Sequence, residues 1–180
     1  MDFVTFLQNR KEMYRLLVAN RERLAPWFWW AARDVTPNKY RFYRFIVAYW
    51  ADTKFERLLH RFDPTSKYSE QFIVYNDCNH IGGFCGLDDI DITKHRAEVW
   101  GLAFRGNTET AAALKILEDY CINTLKLDSF YAYVQSTNRA SRIFWEKYGY
   151  DTKELHQNVM ISRRNRKRAD IYKYTKQLSK

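Results

Sequence analysis

The chemistry-bearing residues of this 180-residue chain fall in three places. The first is the joint around residue 106. An apolar, strand-like run, Ala97 to Phe104, ends in Arg105-Gly106-Asn107, and an Ala/Leu-rich helical run of roughly 109–125 follows directly. A tight strand-to-helix turn with Gly lets the main chain approach a ligand, and the first helical turn offers unpaired N–H groups at the positive end of its dipole. Such a joint suits a phosphate. The donors are the amides around Arg105 to Thr110, with the Thr108 and Thr110 hydroxyls in reach and Arg105 adding charge. A simple chain reversal with Thr108 as helix cap accounts for the same residues. The second place is Asn138-Arg139-Ala140-Ser141, which opens a helix straight after a strand and sets a hydroxyl in its first turn. The third is aromatic: Trp27, Phe28, Trp29 and Trp30 lie beside Arg33, and Lys39-Tyr40-Arg41-Phe42-Tyr43-Arg44 follows. Flat rings among guanidinium groups suit a stacked base, worth about 1–3 kcal/mol per contact. Trp29 and Phe42 form the expected pair, with Trp27 or Trp30 packing beneath; core anchoring between two helices explains the same cluster.

Periodicity supplies the elements that position these groups. Phe3 to Leu7 reads as an edge strand and residues 10–24 as a helix, stopped by Pro26. Thr36-Pro37 is a cap followed by a first-turn proline, and a helical stripe through Tyr40, Tyr43, Ile46, Val47 and Trp50 predicts a helix over 37–60. The period then changes to two. Gln71 to Tyr75 and Ile81 to Leu87 flank turn residues Asn76 to Asn79, which predicts a hairpin. An Asp-rich turn at Asp88 to Asp91 leads to a third strand, Ala97 to Phe104. Ser129 to Gln135 is the next strand, Asn138 to Tyr148 the next helix, and strands near 150–162 and 169–176 close the chain. The order predicts one α/β domain spanning residues 1–180, with a mixed, mostly antiparallel central sheet flanked by helices.

Composition narrows the function classes. With 46% apolar and 28% charged residues, six Gly and three Pro, disorder and collagen-like structure are excluded. Cys78, Cys85 and Cys121 are odd in number and lack metal-type spacing, and the four His are scattered, so neither zinc nor a disulfide framework is expected. No apolar run is long enough for a membrane span and no signal-type core follows Met1, so a soluble cytoplasmic protein is expected, the start at Met1-Asp2-Phe3 being compatible with excision from a longer polypeptide. The net charge of +9 is concentrated. Residues 163–180 carry eight Lys or Arg against one Asp, a balance of +7, centred on Arg163-Arg164-Asn165-Arg166-Lys167-Arg168. That pattern reads as a solvated loop or hairpin tip, and stable nucleic-acid binding is not expected.

From Asn138 to Tyr150 the sequence, with Phe144-Trp145-Glu146-Lys147-Tyr148-Gly149-Tyr150, resembles without a gap the second helix of the GNAT superfamily of acetyltransferases. Asn20-Arg21-Glu22-Arg23-Leu24-Ala25-Pro26-Trp27 is similar to the opening segment of its RimJ/RimL-type enzymes, and the resemblance extends to about Tyr174. It implies a GNAT fold whose splayed strands form the acetyl-CoA site. It also implies a cofactor loop at Leu102-Ala103-Phe104-Arg105-Gly106-Asn107-Thr108-Glu109-Thr110, completed by Asn138, Ser141 and Trp145, with no metal. Four positions depart from the family pattern. Ala103 stands for Gln or Arg, Thr108 for a glycine, and Trp145 for the tyrosine that protonates the departing thiolate in many relatives; Met160 falls where RimL-like enzymes carry a glutamate base. An indole N–H is no useful acid, so the resemblance points to Ser141 instead.

Acetyl transfer needs a neutral amine and a proton for the thiolate. An α-amine, with a pKa of about 7.7–8.0 against about 10.4 for lysine, is neutral at little cost. Catalysis is expected from Ser141 and Asn138, with a water or backbone carbonyl sufficing to accept the amine proton and Glu98 and His156 as fallback acceptors; both also fit plain strand or surface roles. A backbone N–H near Leu102 or Ala103 is the expected oxyanion donor. The aromatic cluster makes Trp27, Trp29, Trp30 and Phe42 the expected substrate contacts and an aminoacyl nucleotide the expected acceptor. A ribosomal protein N-terminus is the alternative within the class, and a silent CoA-binding module the alternative outside it.

Overall fold

The computed structural model describes residues 3–24, 40, 52, 54–75, 80–103, 108–161 and 168–178. Helices α1 (Phe3–Ala19), α2 (Arg21–Leu24) and α3 (54–62) precede the sheet. Strands β1 (Tyr68–Tyr75), β2 (Ile81–Asp91) and β3 (Arg96–Ala103) form a meander; α4 (Thr108–Tyr120), β4 (Ser129–Gln135), α5 (Arg139–Lys147), β5 (Thr152–Ile161) and β6 (Arg168–Gln177) complete it. The described strands order as β1-β2-β3-β4-β6-β5. Every pairing is antiparallel except β3 with β4. The expected mixed, mostly antiparallel sheet is therefore present.

Three expected boundaries are corrected. Phe3 to Leu7 is the first part of α1 and not a strand. Phe3, Phe6 and Leu7 continue the stripe of Met13, Leu16 and Leu17 at helical spacing, so the short run belongs to the longer period. The helix also breaks at Asn20, whose Nδ2 donates to the Leu16 carbonyl at 2.9 Å while its own carbonyl accepts from Arg23 and Leu24 N–H and restarts the chain as α2. The Asp-rich segment is not the turn: β2 runs to Asp91 through a register shift at which Asp89 takes φ 52°. The turn comes after it. Asp91 Oδ1 accepts from Thr93 Oγ1 at 2.6 Å and from Lys94 N–H at 3.0 Å, a side-chain mimic of a backbone turn. The helical run ends at Leu125 as expected, its last five residues, Cys121–Leu125, forming a π-helical turn closed by Lys126 at φ 56°. The turn 76–79, most of the expected helix 37–60 and the basic segment 162–167 lie outside the described residues.

One apolar core joins the sheet to α4 and α5. It holds Leu87, Val99, Leu114, Leu117, Phe130, Val134, Trp145, Tyr150 and Tyr174. Cys85 and Cys121 are free thiols inside it, and burial pushes them up to about 11 and about 12, too protonated to act as nucleophiles near neutral pH. On the opposite face Gly86 is required by its neighbours. A Cβ there would come within 2.7 Å of the Trp100 ring and 2.8 Å of the Glu70 carbonyl, so only glycine lets the indole of β3 lie across β2. This places Trp100 beside the parting of the strands.

Candidate active site

The sheet opens between its two central strands. β3 pairs with β4 only at Arg96 with Ser129, Ala97 with Phe130 and Glu98 with Tyr131. Beyond that, β3 stays on β2 as far as Ala103 and β4 stays on β6 as far as Gln135. A cleft of about 110 Å³ fills the gap, lined by Glu98, Val99, Trp100 and Gly101 from β3, Tyr133 to Gln135 from β4, Asn138, Ser141 and Trp145 of the α5 segment, and Ile171 of β6. Alternate main-chain groups of a strand face each neighbour, so past Glu98 those of β3 that turn toward β4 meet this gap.

Side-chain alternation divides the lining into two sides. Val99 and Val134 point into the core shared with α4 and α5. Glu98 and Trp100 must then face the other way, as must Tyr131, Tyr133 and Gln135, because Glu98 and Tyr131 are register partners. Ser141 and Trp145 thus approach from the helix side and Glu98 from the far side. The cleft connects the two faces.

Glu98 is the carboxylate that lines the cleft on the far side. Burial, followed by the neighbouring charges of Asp88 and Asp89, raises its carboxyl from 4.5 to about 7. Asp88 lies directly opposite it on β2, and Asp89 Oδ2 accepts from Tyr131 Oη at 3.4 Å and pairs with Lys67 Nζ at 3.1 Å. Burial first, and then the charges of Glu98 and Asp89, also raise the Tyr131 and Tyr133 hydroxyls, which stay protonated. His156 sets its ring edge-on to Tyr133 at 6.3 Å, but its Nε2 lies 3.6 Å from Glu154 Oε2, beyond hydrogen-bond length, and it is not among the cleft-lining residues. Met160 sits on the outer strand, opposite Ala169. Of the acceptors named from sequence, Glu98 is the one in the cleft.

On the helix side, Asn138 caps α5, its Oδ1 accepting from Ser141 N–H at 3.2 Å. That bond fixes the turn carrying Ser141. Trp145 is 4% exposed and packs against Tyr150 at 4.7 Å. Leu102 and Ala103 end β3, and Thr108 and Glu109 open α4. Thr110 is 5% exposed, and its Oγ1 has no hydrogen-bond partner among the described residues, an unfilled donor one turn into the helix beside the cleft strand. A Cβ at Gly101 would come within 3.2 Å of the Thr110 methyl. Phe104 to Asn107, and Trp27, Trp29, Trp30 and Phe42, lie outside the described residues. Sequence reasoning missed Trp100, Tyr133 and Gln135. The alternation Tyr131-x-Tyr133-x-Gln135 on an otherwise apolar strand was the available signal.

The site is thus a central sheet parted at a parallel pair, with a helix N-terminus and an ionisable carboxylate at the gap. Residues 17–167 match the acetyltransferase (GNAT) domain family, and the chain belongs to it. It is an N-acetyltransferase that uses acetyl-CoA. Solved structures of similar fold include the microcin C7 self-immunity acetyltransferase MccE in complex with acetyl-CoA and AMP, at 18% identity and TM-score 0.75 over 95% of this chain and 88% of that one. A probable acetyltransferase follows at 18% and 0.70, over 93% and 86%. The spermidine N-acetyltransferase of Vibrio cholerae, in complex with CoA and spermine, gives 16% and 0.64 over 96% and 92%. No curated protein matches the sequence. The replacements at Ala103, Thr108, Trp145 and Met160 thus leave the chain inside the family. Among the described residues no helix is long and apolar enough to cross a membrane.

Proposed function

We propose that the protein acetylates the primary α-amine of an aminoacyl nucleotide, a reaction that inactivates such a compound as a mimic of activated amino acids. The observation that carries the acetyl transfer is the cleft through the sheet, with Glu98 on one side and Ser141 on the other. The nucleotide rests on the Trp27 to Arg44 segment, where aromatic and guanidinium groups alternate, and on the likeness to a fold seen with both acetyl-CoA and AMP. An enzyme of this kind works in the cytoplasm, where activated amino acids are made.

The α4 N-terminus, with Thr110 Oγ1 and the amides from Phe104 onward, holds the pyrophosphate of acetyl-CoA. When bound, acetyl-CoA supplies an acetyl group activated as a thioester. Glu98 takes the amine proton on its carboxylate as the amine nitrogen bonds to the acetyl carbon. A main-chain N–H of β3 beyond Glu98 stabilises the carbonyl oxygen as charge collects there. Ser141 Oγ–H donates to the sulfur as the C–S bond breaks and relays to it a proton taken from solvent, which restores the hydroxyl, while Glu98 releases the amine proton to solvent. Ser141→Ala is therefore expected to lower kcat by about 10-fold or more while the acetyl-CoA Kd stays the same; a wild-type rate removes Ser141 from the chemistry.

A second reading is favoured by one feature. Asp88, Asp89 and Glu98 gather on the far side of the cleft, which suits a polycationic amine. Thiol release with aminoacyl sulfamoyl adenosines, spermidine and N-terminal peptides separates the acceptors. Turnover of the adenosines is expected, with KM raised about 10-fold or more in Trp29→Ala and Phe42→Ala and acetyl-CoA affinity unchanged. Turnover of spermidine alone selects the second reading, and turnover of peptides alone a protein N-terminus.

A further inference from the structure

Gln135 closes β4 at the mouth of the cleft. Its main chain is fixed on both sides: it pairs with Ile171 in β6, and its carbonyl accepts from Asn138 N–H at 2.9 Å. Its side chain lines the cleft on the side of Glu98 and Tyr133. The residue is 8% exposed, and its Oε1 is buried with no hydrogen-bond partner among the described residues. A buried carbonyl oxygen left without a donor is costly and rare in folded proteins, and one lining a ligand cleft is accounted for by a donor that the ligand brings.

The acceptor amine brings such a donor. A neutral amine in the act of attack points its lone pair at the acetyl carbon and one N–H toward Glu98 through a water, because Gln135 stands four residues, about 13 Å, beyond the Glu98–Tyr131 pair along β4. A primary amine has one further N–H, which inside this cleft needs an acceptor. A secondary amine has an alkyl group in that place, which would bury Oε1 against carbon. We infer that Gln135 accepts a hydrogen bond from the second N–H of the acceptor amine and selects primary over secondary amines. The inference rests on the acceptor proposed above and refines its class.

Alanyl sulfamoyl adenosine and its N-methylalanyl analogue test it, with acetyl-CoA binding followed by calorimetry. The wild type is expected to favour the primary amine in kcat/KM by roughly 100-fold. Gln135→Leu is expected to lower kcat/KM for the primary amine about 30-fold and bring the preference close to one, with the acetyl-CoA Kd unchanged. Gln135→Glu, which keeps an acceptor oxygen, retains the preference and carries the comparison if the leucine variant does not fold. Three results overturn the role: a wild type that turns over both amines equally, a preference unchanged in Gln135→Leu, or an acetyl-CoA Kd that weakens in step with kcat/KM. A wild type that turns over the primary amine without preference refutes Gln135 alone. One that turns over neither refutes the proposed acceptor and this inference with it.

Discussion

Glu98→Gln is expected to lower kcat by about 100-fold or more and, at pH 8, to make the protein more stable. Both effects come from one carboxyl. In the wild type it ionises at about 7, so kcat/KM rises with pH through that value as the base forms. The variant keeps only the limb contributed by the α-amine itself, at about 7.7–8.0. The sign of the stability effect follows from linkage. Between 4.5 and about 7 the folded protein holds a proton that the unfolded chain has released, so stability is lost as pH rises across this window and stays lost above it. At pH 8 the wild type carries a destabilisation of at most about 3 kcal/mol that the variant lacks. At pH 4 or below the two should unfold alike. Thermal melts at pH 4 and 8, with initial rates from pH 6 to 9, measure both. Equal melting at both pH values together with an unchanged rate profile removes Glu98 from the site.

Trp145→Ala is expected to cost about 3–5 kcal/mol of folding free energy, a large part of a total that in domains of this size is about 5–15 kcal/mol. The indole is 4% exposed, edge-on to Tyr150 at 4.7 Å and to Phe144 at 5.3 Å. Removing it opens a cavity beside Tyr150, whose buried hydroxyl has no partner among the described residues. The same truncation takes away a wall of the cleft, so acetyl-CoA binding should weaken as well. Urea midpoints at constant m-value measure the loss. A loss below about 1 kcal/mol means that the indole is a ligand contact and not a core anchor.

The joints of this fold were legible because their signals are local. Ser129 to Gln135 alternates, and the strand has those bounds; Asn138 has the side chain of an N-cap, and it caps α5. Glu98 and Ser141 were singled out, and both reach the cleft. What one segment could not tell was which strands part. Glu98 meets Tyr131 across 33 positions of sequence, and the place where that pairing stops decides that Gln135, read along the chain as the polar end of a strand, becomes a buried wall. Glu98 itself reads as an ordinary strand carboxylate until Asp88 is laid opposite it. The short run at Phe3 misled for the complementary reason: five residues do not fix a period, whereas seventeen do.

The three-residue seam from Arg96 to Glu98 makes the sheet two leaves on a hinge. Each leaf is a complete antiparallel ladder of three strands, so a change of angle between them breaks no rung within either. The width of the cleft is therefore set by the residue at which this seam stops, Glu98, and by the core that both leaves share, and not by any rung within either leaf.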